Sequence, residues 1–213
     1  PTDCDLFFKA ALPGHSITFF YLIPASASIQ VIGQPAITPG GLYSRYQVGD
    51  SQYISVFSDF TTYEFEDQGH LTPFSLQLNY YPGYCDPTGQ SQNTGAYIFR
   101  PAASNIDKSS PYANPINSTI YQGKVVSQIT TQYDHGIVSL RFSNSATRDI
   151  QIDTFIDSID VSDNIGKEIV LLIKTSIENN QTFYTDSNGM EMQKRVLNYR
   201  ATWNVSIAEP AAG

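Results

Sequence analysis

Alternation of apolar and polar residues is the feature that most limits the fold open to this chain. In Tyr53-Ile-Ser-Val-Phe57, Thr62-Tyr-Glu-Phe65, Phe74-Ser-Leu-Gln-Leu78, Ile137-Val-Ser-Leu-Arg-Phe142 and Ile150-Gln-Ile152, apolar residues recur at period two or in short β-branched runs, as they do in Ile17-Thr-Phe-Phe-Tyr-Leu-Ile23. A period of two sends successive side chains to opposite faces of a strand, whereas a helix needs a period near 3.6. No window longer than about ten residues carries a helical stripe with a cap and a stop. Turn clusters lie between the runs: Thr38-Pro-Gly-Gly41, Glu66-Asp-Gln-Gly69, Tyr81-Pro-Gly83, Asp134-His-Gly136 and Asp186-Ser-Asn-Gly189. Each offers the positive or fixed φ that a reversal needs. The chain is therefore expected to be all-β, with packed sheets in a β-sandwich.

Composition narrows the function classes. Of 213 residues, 41% are hydrophobic and 13% aromatic, enough for a buried core and unlike a disordered chain. Twelve Lys and Arg against 20 Asp and Glu give a net charge of −8, and an acidic surface repels a phosphate backbone, so no nucleic-acid partner is expected. The apolar stretch Ile17–Pro24 falls far short of the roughly 20 residues a membrane span requires. Pro1-Thr-Asp-Cys-Asp5 has neither a basic n-region nor an apolar h-region, so the chain is expected to be cytosolic or already processed.

Three stretches differ in texture. Residues 25–52 are poor in charge and rich in Ser, Gly, Gln and Pro, and read as a linker between residues 1–24 and a sandwich over 53–213. Further on, irregular segments at 84–92 and 101–117 bracket a short strand expected at Gly95-Ala-Tyr-Ile-Phe-Arg100, and loops of that length often carry function.

Local motifs for catalysis are missing. His15, His70 and His135 have no second ligand at metal-binding spacing, and His70 and His135 read as solvated turn residues. There is no G-x-S-x-G elbow. Cys4 and Cys85 permit one disulfide or two free thiols. Asp153, Asp157, Asp160 and Asp163 do not fit a calcium loop, and are expected on the solvent edge of a strand and its turn with Ile156, Ile159 and Val161 as core positions. Sequons stand at Asn117, Asn180 and Asn204, a number close to chance. Asn188-Gly189 reads as the type I′ dipeptide of a hairpin.

Four ordered blocks carry a resemblance: Thr94-Gly-Ala-Tyr-Ile-Phe-Arg-Pro101, Gly166-Lys-Glu-Ile-Val170, Phe183-Tyr-Thr-Asp-Ser-Asn-Gly189 and Glu209-Pro-Ala-Ala-Gly213. In order and spacing they resemble the class II α-mannosidases of glycoside hydrolase family 38, lysosomal (acid) type. Weaker similarity runs through Leu6–Gly14 and Val125–Thr130, while 25–73 is poorly matched. The resemblance implies a supersandwich-like, galactose-mutarotase-like β-portion, with residues 1–24 as the end of a preceding small β-domain. It also implies a middle piece of a larger enzyme. Its partners would be a catalytic α/β domain that holds zinc and both catalytic carboxylates, the remaining β-domains, and mannose-containing glycans, in a lysosomal or secreted setting. The tyrosine of the family's G-A-Y block touches bound sugar, and Tyr97 is its match here. Because no catalytic or metal residue of the family is matched, the chain alone is expected to be inactive. The rival expectation is a stand-alone carbohydrate-binding or adhesion module.

Overall fold

The computed structural model describes residues 34–37, 41–90, 93–95, 99–102, 109–143, 149–197, 199 and 202. Every regular element among them is a strand. The strands are β1 (Gln34–Pro35), β2 (Tyr43–Gln47), β3 (Gln52–Phe57), β4 (Thr62–Asp67), β5 (His70–Pro82), β6 (Ser110–Pro111), β7 (Pro115–Gln122), β8 (Val126–Tyr133), β9 (Gly136–Ser143), β10 (Ile150–Ile156), β11 (Lys167–Thr175), β12 (Thr182–Asp186) and β13 (Met192–Val196). The chain divides into two compact units, the first taking Pro1–Thr72 with Pro115–Phe155, the second Pro73–Asn114 with Ile156–Gly213.

Unit one is a β-sandwich. One sheet runs in the order β1-β7-β8-β9-β10, and the strands β4-β3-β2 form the facing layer. Alternation decides which side chains meet between them. Along β8, Ser127, Ile129, Thr131 and Tyr133 are buried while their neighbours are half-exposed, and on β3 Ile54, Ser55 and Val56 are all buried. Phe65 of β4 stacks on Phe142 of β9 with ring centroids 6.1 Å apart, a spacing at which aromatic pairs attract beyond their area burial. Val138, Leu140, Ile120 and Val48 complete the interior. Burial of each such side chain contributes about 1.5–3 kcal/mol.

Reversals in this unit carry residues at positive φ. Gln68 and Gly69, between β4 and β5, both have positive φ, 48° and 82°, as a tight hairpin of right-twisted strands requires. Between β3 and β4, Phe60 stands at φ 56°. There the Asp59 carboxylate accepts the amides of Thr61 (3.0 Å) and Thr62 (2.8 Å) and fixes the turn.

In unit two, β5 is flanked by β11 and the short β6. β11 pairs antiparallel with it from Lys167↔Pro82 to Thr175↔Phe74, and β6 pairs at Asn79↔Pro111 and Tyr80↔Ser110. β12 and β13 form a separate hairpin. Its turn is closed by the Met190 amide donating to the Ser187 carbonyl at 2.9 Å. Asn188 (φ 52°) and Gly189 (φ 71°) sit at its centre, in keeping with the type I′ expectation.

Several expectations need correcting. Two strands, β1 and β2, fall inside the 25–52 stretch. β2 carries no period-two signal, because its two tyrosines, Tyr43 and Tyr46, are three residues apart, and its side chains are mostly exposed. Pro82-Gly83 does not reverse the chain, since β5 runs through Pro82 and Gly83 bridges Pro101. Gly95, Phe99 and Arg100, the described residues of the expected short strand, lie outside any strand. Ile159 and Val161 are 40% and 56% exposed rather than core, because 157–166 is a connection and not a strand. The expectations for 1–24 lie outside the described residues.

Candidate functional site

Gly83 is where two of the four similarity blocks come together, both within unit two. Its amide donates to the Gly166 carbonyl at 2.7 Å, which carries the β5–β11 ladder one residue beyond Lys167↔Pro82. On its other side Gly83 bridges Pro101. That junction is tied by Ala102 donating to the Pro82 carbonyl and Tyr84 to the Arg100 carbonyl, each at 2.7 Å. The chain at Gly83 is thus a middle strand between the Gly166–Val170 block and the end of the Thr94–Pro101 block.

Glycine is required here for space. A Cβ at Gly83 would overlap the Thr94 methyl and come within 3.1 Å of the Gly166 carbonyl oxygen. A Cβ at Gly166 would lie 3.4 Å from the same methyl, in ordinary contact. A glycine inside a strand pattern commonly marks such a close approach, so the Tyr81-Pro-Gly83 stretch, expected as a turn, is instead a site of close packing.

Thr94 is held on both of its polar groups. Its amide donates to the Tyr84 carbonyl at 2.9 Å, and its hydroxyl accepts the Arg100 amide at 3.0 Å. The Arg100 guanidinium lies 4.6 Å from the centroid of the Tyr84 ring, a cation–π contact that adds to the closure. Upstream, the Asp86 carboxylate accepts the Thr88 amide (2.8 Å) and hydroxyl (2.7 Å). That arrangement is an Asx turn, which pins the loop leading to Thr94.

Tyr97 lies outside the described residues, as do Asn204, Cys4 and the Glu209–Gly213 block. Asn117 is exposed on β7 opposite Gln132, and Asn180 is exposed at φ 48° in the β11–β12 connection. Cys85 is exposed; His135 is exposed in the β8–β9 turn, whereas His70, also exposed, is the first residue of β5 rather than a turn residue.

Three of the four carboxylates of the acidic run, Asp153, Asp160 and Asp163, have neighbours as partners. Asp153 pairs with Arg141 at 2.6 Å. The Lys167 ammonium donates to Asp163 (2.7 Å) and to the Asp160 carbonyl (2.7 Å). The Lys167 bond, then the Ile165 amide, holds the Asp163 carboxyl below its ordinary range. Bonds from Ser162 do the same for Asp160. Among the described residues no group of three His, Cys, Asp or Glu could hold a metal ion, so the side chains present do not fit a zinc site. No helix among them is long and apolar enough to cross a membrane.

Unit one is thus a β-sandwich, and within unit two the segments at Gly83, Pro101 and Gly166 meet side by side. The model of the glycosyl hydrolases family 38 C-terminal domain matches residues 61–212, and the chain belongs to that family. It is 31% identical over 206 residues to a lysosomal alpha-mannosidase of Dictyostelium discoideum, covering 91% of this chain and 20% of the relative. Against the lysosomal alpha-mannosidase of Bos taurus it is 29% identical over 204 residues, 92% of this chain and 20% of the relative. With that of Homo sapiens it shares 29% over 147 residues, 69% of this chain and 14% of the relative. The chain spans about a fifth of the length of the first two.

Proposed function

We propose that this chain is a non-catalytic β-sandwich portion of an α-mannosidase, and that it completes the sugar site of the whole enzyme through Tyr97. In this reading the enzyme is a zinc-dependent retaining glycosidase that removes terminal α-mannose during N-glycan breakdown, in a lysosome or after secretion. The observation that carries it is the meeting of the Thr94–Pro101 and Gly166–Val170 blocks at Gly83. Blocks 65 or more residues apart in sequence, both similar to one enzyme family, pack against the same glycine.

The chemistry divides accordingly. Retaining hydrolysis needs two carboxylates about 5–5.5 Å apart, one to attack and one to protonate the leaving oxygen. Those groups and the zinc, which would hold sugar hydroxyls at the cleavage point, belong to a catalytic α/β domain outside this chain. What this chain contributes is an aromatic phenol: an apolar ring for the C–H face of a sugar and a hydroxyl for its polar edge. Glycans on Asn117, Asn180 and Asn204 belong to the same proposal.

The test is an assay of the purified 213-residue chain on an α-mannoside with zinc added, beside the complete enzyme. Turnover by the complete enzyme and none by the chain supports this division of labour. Zinc-dependent turnover by the chain alone contradicts it. A glycan-binding chain encoded with no catalytic partner would favour the stand-alone module.

A further inference from the structure

We propose that unit one carries a binding site for a single neutral sugar ring, in the cleft between the β2–β3 and β7–β8 turns. The cleft has a volume of about 320 Å³, and its walls include Gln47, Val48 and Asp50 on one side and Gln122, Lys124 and Ser127 on the other. All six belong to unit one. The site shares no residue with the Gly83 junction of unit two and does not rest on the reading of Tyr97. Both walls are fixed by their own backbone, the Val48 amide donating to the Gln52 carbonyl at 2.9 Å and the Gly123 amide to the Val126 carbonyl at 3.0 Å. The Gln122 side-chain amide crosses between the turns and donates to the Gln47 carbonyl at 3.1 Å, which holds the walls at one spacing.

Ser127 carries the argument. It stands on the inward face of β8, is 2% exposed, and lines the cleft. Thr131, on the same face, bonds to Ser118, whereas the Ser127 hydroxyl has no hydrogen-bond partner among the described residues. Buried side-chain polar atoms in folded proteins nearly always have one, so this hydroxyl marks a position for a polar group that enters from the cleft.

The surrounding donors and acceptors select the ligand. The Asp50 carboxylate and the Lys124 ammonium are exposed and have no ion-pair partner among the described residues. Gln47 and Gln122 direct their amide N–H groups at backbone carbonyls, which leaves both side-chain carbonyl oxygens as acceptors. A phosphate or carboxylate ligand, which only accepts, is opposed by Asp50, and a cation is opposed by Lys124. An amino-acid zwitterion answers both charges, but its side chain would need apolar lining, and Val48 is only 1% exposed. Sugar hydroxyls each donate and accept, so a neighbouring pair can donate to Asp50 while others accept from Lys124 and exchange with Ser127. Small-molecule sites span about 300–1,000 Å³, and a cleft at the lower end suits one ring rather than an oligosaccharide.

The experiment is hydrogen–deuterium exchange of the complete protein titrated with methyl α-mannoside, and separately with glycine and with inorganic phosphate, for wild type, Ser127→Ala, Asp50→Ala and Lys124→Ala. The sugar is expected to slow exchange in peptides over 47–52 and 122–128 together, with one half-saturating concentration, and the other two probes are not. Ser127→Ala should raise that concentration roughly two- to twelve-fold for one neutral hydrogen bond, and Asp50→Ala roughly ten-fold or more for bonds to a charged group. Lys124→Ala should raise it likewise. Asp50 and Lys124 are exposed, so these two variants decide the matter even if Ser127→Ala fails to fold. No slowing of either segment by the sugar overturns the proposal. So does slowing of both segments by glycine or phosphate, or wild-type half-saturation in Asp50→Ala and Lys124→Ala.

Discussion

The Tyr63 hydroxyl of β4 lies 3.0 Å from Thr131 Oγ1 of β8, joining the two layers of unit one through the middle of their apolar interface. The same phenol reaches the Phe60 carbonyl at 2.9 Å, and Thr131 donates in turn to the Ser118 hydroxyl at 3.1 Å. Burial pushes the Tyr63 phenol well above its ordinary pKa, so it stays a neutral hydrogen-bonding group throughout the working range. A buried polar chain of this kind fixes the register of two sheets that apolar contacts alone would hold less specifically.

Tyr63→Phe is expected to destabilise unit one by about 1–3 kcal/mol, because its partners stay buried without their bond. Adding Thr131→Val to it should cost less than the sum of the two single changes, since the second removes a group the first has already stranded. Denaturant unfolding of the four proteins of this cycle measures the coupling; strict additivity would show that the two hydroxyls do not interact.

A pH dependence follows from Asp59 and Asp163. Burial works to raise the Asp59 carboxyl, but the bonds from Thr62 and Thr61 outweigh it and hold the group below its ordinary 3.8. Asp163 is lowered from 3.8 by Lys167 and the Ile165 amide. A carboxyl lowered on folding contributes stability above its unfolded pKa and loses it as pH falls through the folded value. Stability should thus be flat in these groups above about pH 5 and decline below about pH 4. Asp59→Ala, which opens the β3–β4 turn, should cost about 1–2 kcal/mol at neutral pH, and its penalty should shrink as pH falls below the ordinary carboxyl range. Thermal unfolding of both proteins across this range checks it; a penalty that does not change with pH would show that the turn bonds do not depend on the charge.

Much of unit one was legible in the sequence. Ile54, Val56, Val138 and Leu140 recur at period two and are buried, although Ser55 and Ser139 between them are buried as well. β8 was harder, because two of its four inward positions are Ser127 and Thr131, hydroxyls that no apolar pattern marks as inward. β11 was hidden for the opposite reason. Ile169-Val-Leu-Leu-Ile173 is a continuous apolar run with no period to read. At the site, Thr94 and Gly166 were visible as members of similarity blocks, but their meeting at Gly83 depends on a β5–β11 pairing that no local pattern encodes.

Gly83→Ala tests that junction directly. Its new Cβ overlaps the Thr94 methyl and presses on the Gly166 carbonyl oxygen, and overpacking of this kind costs about 1–3 kcal/mol. Thr94→Ser in the same chain removes the methyl and should recover part of the loss in unfolding midpoint. Equal stability of Gly83→Ala and wild type would mean that the three segments are not packed as described.

The claim that this chain completes a mannose site is tested most directly by kcat/KM of the complete enzyme carrying Tyr97→Phe. Loss of one hydrogen bond to substrate predicts a decrease of roughly two- to twelve-fold, about 0.5–1.5 kcal/mol, with the unfolding midpoint unchanged. An unchanged kcat/KM would contradict the account.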